Sequence, residues 1–156
     1  MLKKALFIVY LVSINFCSQA QDSNAEPEGF VKQFFEILTS KGSEEAVSSF
    51  FRTNKYMSVA EAQINTLASR LGESIELLGE FYTYELITKA ELNESYKIYS
   101  YLVKFDRQPL RFNFSFYRPN DTWVAMNFEF NDSFDEELKE AIKLYRLPIS
   151  KTEKGN

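Results

Sequence analysis

The sequence predicts an α+β fold in which three N-terminal helices pack on a curved, four-stranded antiparallel meander and a further helix follows the sheet. Two observations carry this prediction. Up to about residue 76 the apolar residues recur at the helical spacing of three and four, and beyond it they alternate with polar residues. Short connections separate the alternating segments, which favours antiparallel pairing of neighbouring strands.

The first two helices are predicted between residues 28 and 52. An apolar stripe from Phe30 to Leu38 marks the first helix, and Gly42 is expected to end it. Ser43 is expected to cap the second helix, because two glutamates follow it in the first turn. The buried face of the second helix should consist of Ala46, Val47, Phe50 and Phe51.

Capping boxes mark the two remaining helices. In the first box, Ser58 and Glu61 are expected to satisfy each other's backbone N–H groups, and Gly72 is expected to stop the helix that follows. In the second box, Ser133 and Glu136 open the C-terminal helix, which Pro148 closes.

Four strands are predicted near residues 77–89, 95–106, 110–118 and 122–131. In the last hairpin one face of both strands is apolar, and a one-residue slip would expose half of these side chains to water. A three-residue loop at 119–121 aligns the two apolar faces. The resulting register predicts the pairs Phe112–Phe128, Arg111–Glu129, Asn113–Asn127 and Tyr117–Trp123.

The opposite, polar face of this sheet is the candidate ligand site. Charged and amide side chains on it would orient a ligand, and two aromatic residues would form a rim. The same alternation is also typical of a sheet face that is simply exposed to water and carries a surface ion pair. The candidate residues are Lys104, Arg111, Asn113, Tyr117, Trp123, Asn127 and Glu129.

The N-terminus is predicted to be an export signal spanning residues 1–20. Lys3 and Lys4 precede an apolar stretch over residues 5–16, and small residues at 18 and 20 predict cleavage before Gln21. The alternative is a buried N-terminal helix. Phe16 stands where bacterial lipidation signals place a small residue, which argues against lipid attachment at Cys17.

With the signal removed, we expect a polar leader over 21–27, a single domain over 28–147 and a disordered tail over 148–156, in a periplasmic or secreted protein. No second apolar span follows, so we expect no membrane association after cleavage. The chain carries a formal charge of −4 and its basic residues are scattered, which disfavours nucleic acid as a partner.

The composition excludes several kinds of active site. The chain has no histidine, and its single cysteine lies in the expected signal. The mature chain therefore lacks a histidine general base, a cysteine nucleophile, a Ser-His-Asp triad and a zinc site built from thiolate or imidazole. We expect neither a cofactor nor a bound metal.

Residues 28–131 resemble the nuclear transport factor two-like superfamily, which includes small exported bacterial domains. The resemblance rests on the helix end Ser69-Arg70-Leu71-Gly72 and on the late strand that begins Thr122-Trp123-Val124. It implies helices folded over a cone-shaped sheet, whose apolar interior holds a ligand, supports catalysis or mediates dimerisation in different members. The C-terminal helix departs from the commonest layout of that superfamily.

Three functions follow from these expectations. The first is a non-catalytic exported domain that binds a small molecule or a peptide. The second is a protein-interaction module, with a homodimer as one form of it. The third is an enzyme of the isomerase or dehydratase kind, which would need a buried Asp, Glu or Tyr with a displaced pKa in place of histidine.

Overall fold

The computed structural model describes residues 26–146 and has the predicted α+β architecture. Three helices precede a four-stranded antiparallel sheet of order β1-β2-β3-β4, and a fourth helix follows it. The expected signal, the tail and most of the leader lie outside the described residues. The elements are α1 (Pro27–Lys41), α2 (Ser43–Arg52), a 3₁₀ helix (Lys55–Ala60), α3 (Glu61–Leu78), β1 (Phe81–Leu92), β2 (Tyr96–Phe105), β3 (Leu110–Tyr117), β4 (Val124–Asn131) and α4 (Phe134–Arg146).

The helix boundaries correct three sequence expectations. Pro27, the last residue of the expected leader, is buried and starts α1, where its missing N–H costs nothing. Ser43 is the first residue of α2 and not its cap, because Gly42 occupies the cap position. The capping box is not formed: the Ser58 hydroxyl donates to the Lys55 carbonyl oxygen at 3.2 Å, within the 3₁₀ helix that precedes Glu61.

Gly72 does not stop α3, which continues to Leu78. A Cβ atom at Gly72 would lie 2.9 Å from the Ser43 hydroxyl oxygen, so this glycine lets α2 and α3 approach closely. The helix ends instead at Gly79, whose φ of 89° is strained for any residue with a side chain. Because α3 is longer than predicted, β1 starts at Phe81 instead of near residue 77.

The faces of the last hairpin are as predicted for β3, but the register is wrong by two residues over most of its length. Arg111 pairs with Asn131 and not with Glu129, which lies opposite Asn113. Phe114 lies opposite Phe128. The strands are joined by six residues, 118–123, instead of a loop of three.

A bulge near Ser115 and Phe116 explains part of this difference. Beyond it Phe116 pairs with Ala125, which is fully buried. The backbone of Ala125 is fixed from outside the sheet: its N–H donates to the Thr53 hydroxyl at 3.0 Å, and its carbonyl accepts from the Asn54 amide at 2.9 Å. The end of α2 thereby covers the free edge of β4, and no alternation pattern reveals that contact.

The core is a cluster of aromatic rings between the helices and the apolar face of the sheet. Phe34 of α1 lies at its centre, with ring centroids 4.9 to 6.2 Å from those of its neighbours. These neighbours come from all layers and are almost completely buried: Phe35, Phe50, Phe112, Phe114 and Phe128. The rings fill the space between the helices and the sheet.

Candidate binding site

The polar sheet face brings together most of the residues predicted for the ligand site. Lys104, Arg111 and Asn113 are half-buried there, whereas Asn127 and Glu129 are exposed. The Asn127 amide donates to the Glu129 carboxylate at 2.9 Å, and Lys104 pairs with Glu85 of β1. Tyr117 lies on the same face at the end of β3 and is partly exposed. These polar groups therefore satisfy one another to a large extent.

Arg111 is covered by the start of α4. Its guanidinium pairs with the Glu137 carboxylate and lies 4.8 Å from the centre of the Phe134 ring. The hydrogen bond from Arg111 holds the pKa of Glu137 below its ordinary value. The first turn of α4 thus occupies the part of the polar face that Arg111 was expected to offer to a ligand.

Trp123 does not belong to this face, which corrects the predicted rim. Its side chain is 3% exposed and lies beside Lys97, which is opposite Phe116 on the apolar side of the sheet. The Lys97 ammonium and the Arg118 guanidinium lie 4.9 and 5.0 Å from the ring centre. The buried indole N–H has no hydrogen-bond partner among the described residues.

The buried ionisable side chains of the described core are two tyrosines. Tyr99 is completely buried, and burial together with the nearby Glu28 carboxylate raises its pKa. Burial likewise raises the pKa of Tyr101. Both hydroxyls are therefore neutral near pH 7 and are not available as general bases there.

An open concavity lies on the outer side of the helical layer. We call it the helical groove: a cleft of about 340 Å³ between α2, the 3₁₀ helix and α3. Ligand pockets in proteins commonly measure about 300–1,000 Å³ and combine an apolar lining with a few polar groups. The lining is Ser48, Phe51, Arg52, Asn54, Lys55, Met57, Ser58, Glu61, Ile64 and Asn65.

Helical periodicity explains how the sequence builds this groove. On α2, Ser48, Phe51 and Arg52 follow the spacing i, i+3 and i+4, so they share one face beside the core-facing residues. On α3, Glu61, Ile64 and Asn65 repeat the same spacing. The groove is therefore the meeting line of two helix faces that both combine apolar and polar residues.

The floor of the groove is apolar. Phe51 is 4% exposed and belongs to the core cluster, while Met57 and Ile64 are half-buried and pack against that cluster. Beside the groove the 3₁₀ helix also exposes Tyr56 and Val59. A ligand on this floor would remove further apolar surface from water without disturbing the core.

The charges around the groove fall into a paired and an unpaired set. Arg52 is engaged by Glu45, with 2.6 Å between a guanidinium nitrogen and a carboxylate oxygen, and this contact lowers the pKa of Glu45. Lys55 and Glu61, in contrast, form no ion pair with any residue between 26 and 146. The groove thus carries two opposite charges without an ion-pair partner in the described part of the chain, and the Lys55 ammonium lies 5.0 Å from the centre of the neighbouring Tyr56 ring.

A second cleft of about 520 Å³ adjoins the groove, since both are lined by Ser48 and Asn65. It continues between α2 and α3 and is mainly polar, with Lys41, Glu44 and Ser69 in its lining. The two clefts together offer an apolar end and a polar extension. That arrangement suits an amphipathic small molecule or a short peptide segment.

The groove is not apparent from the sequence, because the apolar pattern of each helix is defined separately. The signal in the sequence is a spacing of i, i+3 and i+4 that occurs twice, at positions 48, 51 and 52 and at positions 61, 64 and 65. On each of the two helices it puts polar residues beside an apolar one. Recognising a shared cleft also required the angle between the two helices, which no periodicity supplies.

Within residues 26–146, no group of three or more acidic, histidine or cysteine side chains is placed to hold a metal ion. In the same range no helix combines the length and the apolar character that crossing a bilayer requires. Neither a family model, nor a curated protein, nor a solved structure matches this chain.

Proposed function

We propose that the mature chain is an exported, non-catalytic binding domain, and that its ligand, a small molecule or a short peptide, lies in the helical groove. The observation that carries the proposal is the half-open apolar floor formed by Phe51, Met57 and Ile64. The export part rests on the expected signal at residues 1–20.

The proposed place of the ligand differs from the interior of a cone. If the resemblance to the nuclear transport factor two-like superfamily reflects common ancestry, the ligand of this chain lies outside the sheet. The packed rings around Phe34 support this location, because they fill the space between helices and sheet.

Saturation-transfer NMR with a mixture of small apolar and amphipathic compounds tests the proposal. Compounds that bind wild type should lose their signal with Ile64→Glu, since this change places a charge on the groove floor. Leu77→Glu is the matched control, because Leu77 lies on the same helix, is 67% exposed and is outside the groove. Equal signals from both variants, or no binding compound at all, would refute the proposal.

One observation favours the alternative of a protein-interaction module. The apolar stripe of α4 is largely uncovered, with Leu138 and Ile142 each 59% exposed. Light scattering separates the alternatives: if a homodimer forms through α4, Leu138→Glu will convert it to a monomer, whereas a monomer at high concentration excludes this dimer.

A further inference from the structure

The charges at the helical groove narrow the class of ligand. The charges without an ion-pair partner among the described residues at the apolar end are one cation, Lys55, and one anion, Glu61, since Arg52 is engaged by Glu45. A phosphate or a fatty acid would bring its own negative charge toward Glu61 and toward the Glu45 carboxylate that already engages Arg52. A neutral apolar molecule would leave both charges without a partner.

The groove offers a cation, an anion and an apolar floor. A ligand that carries both charges next to an apolar group matches all three. We propose that the helical groove binds a free apolar α-amino acid. Its carboxylate pairs with Lys55, its ammonium group pairs with Glu61, and its side chain lies on the floor formed by Phe51, Met57 and Ile64. Ser48 and Asn65 supply neutral hydrogen-bonding groups at the boundary with the second cleft. This inference rests on the proposed function.

Isothermal titration with three related probes tests each charge separately. L-phenylalanine carries both charges, its amide lacks the carboxylate, and N-acetyl-L-phenylalanine lacks the ammonium group. We expect L-phenylalanine to bind about fivefold more tightly than either analogue, which is the range of a solvent-accessible ion pair. Lys55→Gln should abolish the preference over the amide, and Glu61→Gln the preference over the acetylated compound.

Lys32→Gln and Glu73→Gln are the matched controls, because both residues are exposed and neither lines the groove. They should keep both preferences. Equal affinities of wild type for the three probes would overturn the amino-acid assignment and leave the groove as a binding site. Absence of binding by all three would also overturn the assignment, while the compound mixture tested against Ile64→Glu decides independently whether the groove binds anything.

Discussion

Replacing Phe34 with alanine should lower the free energy of unfolding by about 3–5 kcal/mol, the usual effect of deleting a buried aromatic ring. Phe34 is 2% exposed, and its ring contacts aromatic rings of both helices α1 and α2 and of strands β3 and β4. The deletion removes the buried surface, several edge-to-face contacts and the support of the surrounding rings. Chemical denaturation monitored by circular dichroism measures the effect.

Tyr56→Ala is the control for this experiment. It removes an aromatic ring of similar size from a side chain that is 73% exposed, and we expect a change within about 0.5 kcal/mol. A loss below about 1 kcal/mol for Phe34→Ala would contradict a closely packed interior, because it would mean that the ring had few partners to lose.

The second large effect is expected for Gly79→Ala, at the junction of α3 and β1. Gly79 has φ 89° and ψ −152°, a region that is essentially restricted to glycine and costs other residues on the order of 1–3 kcal/mol. An added Cβ would also lie 2.5 Å from a carboxylate oxygen of Asp106. That carboxylate accepts the backbone N–H of Glu80 at 2.8 Å and the Tyr82 hydroxyl, so it is not free to move away.

Gly42→Ala separates the two causes. Gly42 has φ 89° and ψ 179°, but a Cβ there would meet nothing within 4 Å. We therefore expect both variants to be destabilised. Gly79→Ala should have the lower melting temperature and the lower free energy of unfolding of the two. Equal losses would show that the Asp106 contact is unimportant, and no loss at either position would contradict the backbone conformation.

The sequence predicted the layers of this fold because periodicity reports which side of an element is buried. Phe112, Phe114 and Phe128 alternate with polar residues, and all three lie on the helical side of the sheet. The register could not be predicted in the same way. The register depends on a bulge and on two hydrogen bonds between the side chains of Thr53 and Asn54 and the backbone of Ala125. These hydrogen bonds join segments about 70 residues apart.

Two glycines and a tryptophan illustrate a second limit of prediction from the sequence. Gly72 and Gly79 look alike in sequence, yet one permits two helices to approach and the other ends a helix. Only the position of Ser43 in space distinguishes the first role. Trp123 likewise follows the turn as predicted, but Lys97 and Arg118 hold its ring on the buried side.

The candidate site was predictable only in part. Lys104, Arg111 and Asn113 do share a polar sheet face, as alternation requires. That α4 covers Arg111 was not predictable, because the C-terminal helix shows an apolar stripe but no preferred docking surface. The helical groove depends on the approach of α2 and α3, so its residues became a candidate only in the folded chain.

Methyl NMR in the presence of a compound that binds in the saturation-transfer experiment most directly tests the central claim that ligands bind outside the aromatic core. A bound ligand shifts the methyl resonances of the side chains that it contacts. We predict shifts at the methyl groups of Met57 and Ile64 in the helical groove, and unchanged resonances for Val31 and Val103, which are buried in the core. Shifts at Val31 and Val103 with none at Met57 and Ile64 would place the cavity between helices and sheet and would contradict this account.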